Sequence, residues 1–532
     1  MKKTILLLLL LSTSILAFSD LQAQAVLQKL STLKGDSAGD TFTTVSYIGD
    51  VNGDGYDDLL VGAGGGNYAK LFFGGKKLDT IPDMMFHGEQ RYSGFGGSIA
   101  GGQDINGDGY PDFVIGAPNY WYGGVPLGIA GAGKVYVYFG GPKLDTVPSA
   151  TLMIQNWYYR FGYSVTLGDV NGDGYADIIV GAPNDETDAH GRVYIYFGGK
   201  TLHSDPDLVL EGDSAFDSFG SSLGYVGDVN KDGYGDLLVG APQQLITSSR
   251  FKGGKAYLIY GGDSISLKKS FLFVGDSVEQ GQFGRVVSNL GDIYGDGYDE
   301  FAIMADKYVD IISGKTLLPI LRLNADSLTG AFRYIAGLRD INGDGRDDFG
   351  VGIQDRADHY AGSVRIYLGK SSLDTVPDFQ LIGTEQFGDF GSCITGLGRF
   401  RSGDTSDIAI GQSEIFPDSN GLGETIIYSF GVNTSVKSPK DKVDLKDFNL
   451  FQNYPDPFNP TTVISYQLPA NTLVTLKVYD VLGRLVKTLA NENQNAGTHS
   501  VTFNASSLSS GVYFYRLNAG NYVNTKNLML IK

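Results

Sequence analysis

The stretch that decides the fold is GDVNGDGYADIIVGAP, Gly168 to Pro183. Counting from Asp169, oxygen-bearing side chains fall at positions 1, 3, 5 and 9: Asp169, Asn171, Asp173 and Asp177. Gly174, at position 6, suits a tight turn that needs positive φ. Tyr175, at position 7, can offer its backbone carbonyl. Six or more hard oxygens wrapped round one point make a Ca²⁺ cage. The apolar run Ile178-Ile179-Val180 follows at once and ends in Gly-Ala-Pro. Such a short β-rich run predicts that the loop joins two strands.

An EF-hand loop opens in the same way but closes on Glu at position 12, between two helices. Here position 12 is Val180, and the last carboxylate comes early, at Asp177.

Working outward, the same loop recurs with starts at Asp50, Asp104, Asp169, Asp228, Asp292 and Asp340, and in a worn copy near Arg399. The spacing averages about 58 residues, a period that signals a propeller or solenoid. Upstream of the loops lie Phe95-Gly96, Phe161-Gly162, Phe219-Gly220, Phe283-Gly284 and Phe390-Gly391, with Phe42 and Phe332 holding the place without the glycine. Downstream come Gly-Ala-Pro at 116–118, 181–183 and 240–242, then alternating strands such as VYVYFGG (Val135 to Gly141). A fourth strand such as LVLEG (Leu208 to Gly212) completes each unit, and four short strands make one blade. The segment VLQKLSTLKGDS (Val26 to Ser37) reads as a fourth strand, while the last repeat stops after its third, TIIYSFG (Thr425 to Gly431). The two ends of the repeat region are therefore expected to share one blade, which leaves no open sheet edge.

Phe-Gly, the acidic loop and Gly-Ala-Pro in register resemble the FG-GAP repeats of the integrin α-subunit β-propeller, over about Val26 to Gly431. The resemblance implies an all-β, seven-bladed propeller at 26–431 with calcium at the first turn of several blades. Five loops keep the full oxygen set. They are Asp50, Asn52, Asp54, Tyr56 and Asp58; Asp104, Asn106, Asp108, Tyr110 and Asp112; and Asp169, Asn171, Asp173, Tyr175 and Asp177. The other two are Asp228, Asn230, Asp232, Tyr234 and Asp236, and Asp340, Asn342, Asp344, Arg346 and Asp348, where position 7 acts through its backbone. The loop with Asp292, Asp296 and Glu300 has Tyr294 at position 3 and a longer acid at position 9, so a sixth site stays open there. The loop at Arg399 reads as having lost its acids and is expected to hold no ion. The bland alternative, Asp-Gly turns that merely cap hairpins, does not require four oxygens recurring in register. The calcium is expected to be structural, because it relieves repulsion among crowded carboxylates.

Composition agrees. Gly is 75 of 532 residues and aromatics are 12 %, as Gly turns and Tyr/Phe strands demand. The net charge of −18 argues against nucleic-acid binding. Lys2 and Lys3, the apolar Ile5 to Ala17 and Ala23-Gln24-Ala25 read as a secretory signal over 1–25. No transmembrane segment is expected once it is removed. Cys393, the single cysteine, permits no internal disulfide and reads as a small buried hydrophobe.

The stretch 432–447 is polar and Lys-rich and reads as a linker. The module at 448–532 has alternating runs that predict a small β-sandwich. It resembles the type A sorting domain of the type IX secretion system. The residues that carry this are Asn453 to Pro460 (NYPDPFNP), Val478-Tyr479-Asp480, Gly483, Gly511-Val512-Tyr513, Lys526 and Lys532. That implies export to the cell surface, with the tail read by the secretion translocon.

By strand parity the long second-to-third connections lie opposite the calcium loops. One of them carries Tyr120, Trp121 and Tyr122, which suit contact with an extracellular protein or glycan. The five histidines are scattered, and no nucleophile elbow or phosphate loop occurs. The expected function is adhesion or recognition. A carbohydrate-active enzyme, lyase or hydrolase, on the same scaffold is the alternative.

Overall fold

The computed structural model describes residues 25–121, 131–154, 160–183, 190–214, 217–242, 253–276, 281–325, 330–355, 360–385, 387–401, 406–413, 422–432, 448–451, 453, 458–495, 497–520 and 522–531. The expected leader up to residue 24, the linker from 433 and Tyr122 lie outside them. The chain divides into two units, Met1–Asn433 and Thr434–Lys532.

The first unit is all-β. Its described residues form seven four-stranded antiparallel sheets. Blade three shows the pattern: Ser164–Gly168, Asp177–Ala182, Arg192–Tyr196 and Leu208–Glu211 pair in chain order. The second strands, such as DIIVGA, are buried at every residue, as a strand packed on both faces requires. The first strand of each sheet packs beside that of the next, and the first strand of sheet seven, Phe390–Gly396, packs beside that of sheet one, Phe42–Gly49. The sheets therefore ring a common axis as the blades of a propeller. Sheet seven is completed by Ala25–Lys34, which pairs antiparallel with Glu424–Val432, so the two ends of the unit close the ring within one blade.

The recurring motifs have a packing reason. Phe95, Phe161 and Phe219 are fully buried, edge-on to Tyr136, Tyr194 and Tyr257 at 5.0, 5.4 and 5.4 Å. The glycine of Gly-Ala-Pro lies against the Phe-Gly carbonyl of the next blade. A Cβ on Gly181 would stand 2.1 Å from the Gly220 carbonyl oxygen, and one on Gly116 2.3 Å from that of Gly162. Only a residue without a side chain lets the blades approach so closely. Cys393 is buried in the core between blades seven and one.

The second unit stacks a three-stranded sheet (Asn449–Leu450, Thr461–Leu468, Gly497–Asn504) on a four-stranded one (Thr472–Asp480, Leu485–Gln494, Gly511–Ala519, Tyr522–Leu530). Its core holds Leu450, Ile464, Leu476, Val478, Phe503 and Leu517. Gly483 takes φ +75° in the hairpin turn after Asp480. Asn453 is buried, its amide donating to Thr462 Oγ1 at 3.0 Å.

Candidate metal centres in the blade turns

In all six acid-led loops the turn runs between the first and second strands. Positions 4 and 6 are left-handed throughout: Gly172 and Gly174 at +76° and +87°, Gly295 and Gly297 at +70° and +82°. The loop at Asp292 thus has the same backbone as its relatives. Blade four places Lys231 at position 4 with φ +62°.

Short hydrogen bonds fold each loop around its own oxygens. Asp169 Oδ1 accepts from Gly172 N at 2.6 Å, and Oδ2 from Gly174 N at 2.9 Å. Asn171 Oδ1 accepts from Asp173 N, and Asp173 Oδ1 from Tyr175 N, both at 2.9 Å. The loops at Asp104 and Asp340 repeat this set, and those at Asp50 and Asp228 repeat all of it but the bond from position 4. Among the described residues no three His, Cys, Asp or Glu side chains are already gathered as a metal cluster.

The ninth position is different. Asp58, Asp112, Asp177, Asp236 and Asp348 are fully buried. Each turns beneath its loop to take two backbone amides: Asp177 Oδ2 from Val170 N at 2.9 Å and Oδ1 from Gly198 N at 3.0 Å. Burial raises these carboxyls, the amides pull them back, and the acids at positions 1 and 5 push them up again. Asp58 reaches about 8, Asp112, Asp177 and Asp348 about 7, and Asp236 about 6. Glu300 rises to about 8, chiefly through burial and then through Asp296 and Asp292, and its Oε2 is buried without a hydrogen-bond partner. Lys315 stands 3.2 Å from Asp296 Oδ2.

The seventh loop resolves the same problem internally. Asp407 keeps the ninth position, so the acids of this loop are not all lost, and it is 1 % exposed. Arg401, at position 3 where the others carry Asn or Tyr294, sends Nη2 to Asp407 Oδ1 at 2.7 Å and Nε to Oδ2. Nη2 also donates to Ser429 Oγ at 2.8 Å. A guanidinium forked onto a buried carboxylate is a built-in counter-cation.

Three groups had roles that sequence reading passed over. Arg401 is one. The position-7 side chain is another: it covers position 4 of the preceding loop, so a Cβ on Gly107 would lie 2.3 Å from the Tyr175 ring and one on Gly53 2.5 Å from Tyr110. Equal spacing of Gly and Tyr in successive loops was the available signal. The third is a set of latches at the opposite ends of the blades. Lys70 pairs with Asp36 at 2.5 Å, Lys134 with Glu89 at 2.6 Å, and Lys255 with Asp213 and Asp217 at 2.9 Å each. Each lysine lies on a third strand, Lys134 and Lys255 at its first residue, and its acid follows the fourth strand of the preceding blade.

The aromatic connection begins at one such latch. Tyr120 OH donates to Glu89 Oε2 at 3.2 Å, with Lys134 Nζ 4.9 Å from its ring centroid. Gln90 clamps the Trp121 backbone, its amide donating to the carbonyl and its oxygen accepting from the N–H, both at 2.9 Å. Both aromatics are half-buried.

Known proteins match on these features. Residues 42–76, 95–138, 161–196 and 219–259 match the FG-GAP repeat family, all in blades one to four. Residues 452–532 match the family described as a secretion system C-terminal sorting domain. The chain is 41 % identical over 167 residues to integrin alpha-IIb of Mus musculus, covering 30 % of this chain and 16 % of that one. It is 34 % identical over 236 residues to integrin alpha-8 of Mus musculus, covering 42 % and 22 %. With integrin alpha-V of Gallus gallus the identity is 37 % over 207 residues, covering 36 % and 19 %. The matches thus span less than a quarter of those relatives. PorZ, a surface component of the type-IX secretion system of Porphyromonas gingivalis, aligns over 93 % of this chain and 60 % of its own at 12 % identity and a TM-score of 0.39, a likeness too slight to bear on the fold. The chain carries FG-GAP repeats, similar to those of integrin α chains, in a β-propeller and ends in a secretion system C-terminal sorting domain, which marks it for export to the cell surface.

Proposed function

We propose that the propeller is an extracellular recognition module, for a protein or glycan ligand, whose blades are stiffened by Ca²⁺ in the turns led by Asp50, Asp104, Asp169, Asp228 and Asp340, with a sixth ion at Asp292. The carrying observation is the contrast at the ninth position. Six blades bury an acid there without a forked counter-charge, and the one blade whose loop lacks the acids at positions 1 and 5 fills the gap with Arg401. A divalent cation in the other six would do what that guanidinium does. The donors fit: hard carboxylate and amide oxygens, a position-7 carbonyl, and the orphaned Glu300 Oε2. Each amide-bound carboxylate oxygen still has a second lone pair.

Calcium here has no catalytic part. It neutralises the loop, and the loop holds its neighbour: Ala176 N donates to the Asp104 carbonyl at 2.9 Å, and Gly235 N to that of Asp169 at 3.1 Å. A rigid ring then presents the opposite face, where Tyr120 and Trp121 start their connection, to a partner. Equilibrium dialysis of the full chain against calcium tests this, with five or six ions per chain expected. Fewer than three bound ions would overturn it.

A further inference from the structure

We propose that the mouth of the propeller axis, on the face away from the calcium turns, is a binding site for a single carboxylate-bearing sugar unit, with Arg285 as its principal contact. The inference rests on the reading of the ring as a recognition module and names the ligand class and the place.

A cavity of about 320 Å³ opens where the first strands begin, walled by residues just after the Phe-Gly pairs: Tyr163, Ser221, Arg285 and Ser392. Arg285 holds that place on its blade and Tyr334 on the next, where Arg333 stands one residue earlier, behind the wall. Each arginine is loosely paired with one acid: Arg285 Nη1 with Asp306 at 3.5 Å, Arg333 Nε with Asp389 at 3.4 Å. Arg285 Nη2 donates to the Phe332 carbonyl. Among the described residues eight buried side-chain polar atoms make no hydrogen bond, and two of them belong to residues of this wall: Arg285 Nε and Ser392 Oγ. Unmade bonds of this kind are rare in folded proteins, and a cluster of them marks a place where a polar ligand or water completes the set. Burial lowers the Arg285 pKa, Asp306 raises it and Arg333 lowers it again.

The unmet set holds both donors and acceptors, which suits a ligand with a carboxylate beside hydroxyls. The cavity is enclosed by the ring, so it takes one unit and not a chain lying across it. Tyr163, 39 % exposed on its wall with Arg160 against the ring at 4.5 Å, can face the apolar side of a sugar.

Titration calorimetry of the full chain in calcium, with trigalacturonate, a neutral galactose trimer and triglutamate as probes, tests the assignment. Trigalacturonate should bind, the neutral trimer should not, and Arg285→Lys should weaken binding at least tenfold without moving the melting temperature in calcium. Ser221→Trp, which fills the cup, should abolish binding and gives a second reading if the arginine variant misfolds. Failure of trigalacturonate to bind, equal binding of the neutral trimer, or binding indifferent to both variants would overturn the site. Triglutamate binding with the same arginine dependence would overturn the sugar assignment. A ligand found on a glycan or protein array and retained by both variants would overturn this inference yet leave the recognition reading standing.

Discussion

The loops led by Asp169 and by Arg399 occupy the same turn in different blades, and they bury the same acid under opposite conditions. Asp177 lies beneath a loop that adds two more carboxylates, and its pKa is driven up to about 7. Asp407 lies beneath a loop that contributes Arg401 in a two-pronged grip. A buried carboxylate is costly unless paired, so the repeat has two solutions: import a cation, or encode one. The encoded one sits in the blade that closes the ring, where the strand from the start of the unit meets three from its end. Under the proposed calcium binding, closure is independent of metal while the other turns are not. Three latches on the far face also use a lysine from the chain itself, Lys70, Lys134 and Lys255, and the last of them neutralises the buried Asp217.

The sharpest way to break this contrast is to remove the metal. Each site held at a hundredfold over its Kd adds about 2.7 kcal/mol, so chelation should lower the melting temperature of the full chain by roughly 10–30 °C. An identical melt in EDTA and in calcium would end the argument. Next in size is Arg401→Met, which strands Asp407 and should cost about 3 kcal/mol equally with and without calcium. Arg401→Lys, keeping charge without the fork, should fall between. Rescue of the Met variant by calcium would mean that the seventh turn also binds metal.

The two faces should also part company in their pH dependence. The ninth-position acids, raised from about 4 to between about 6 and 8, contribute stability that is complete below their unfolded pKa and lost as pH rises through 6–8. Chelated protein should therefore melt lower at pH 8 than at pH 5, and saturating calcium should remove that fall. Asp213 behaves oppositely. Burial pushes it up, but hydrogen bonds from Lys255, Tyr257 and Ser214 outweigh this and hold it near about 2. Its contribution is present above pH 4 and lost as pH falls towards 2. Melting curves across pH, with and without EDTA, would separate the two, and a calcium-free maximum at pH 8 would contradict the first. The smallest effect expected is from Asp173→Asn. It removes one ligand and also one neighbour that raises Asp177. It should cost about 1 kcal/mol in calcium and nothing, or a slight gain, in EDTA. The same loss in both media would make Asp173 a turn residue only.

Periodicity carried most of the architecture. Phe-Gly, Gly-Ala-Pro and the oxygen spacing repeat in register because each blade must meet the next at the same few atoms, and Gly181 against the Gly220 carbonyl is one such meeting. A motif repeated for a geometric reason can be read from the chain alone, as can the shared closing blade and the tail's alternating strands. What the chain order hid were contacts that pair unlike positions, within one loop or between repeats: Arg401 with Asp407 in the seventh loop, and, across repeats, Tyr175 over Gly107, Lys255 with Asp213 and Arg285 beside Arg333. Which acid is buried, and what stands opposite it, is set by how blades dock round the ring. Burial and distance decide whether a recurring aspartate is left beside other acids or gripped by a guanidinium, and neither quantity exists until the sheets have closed.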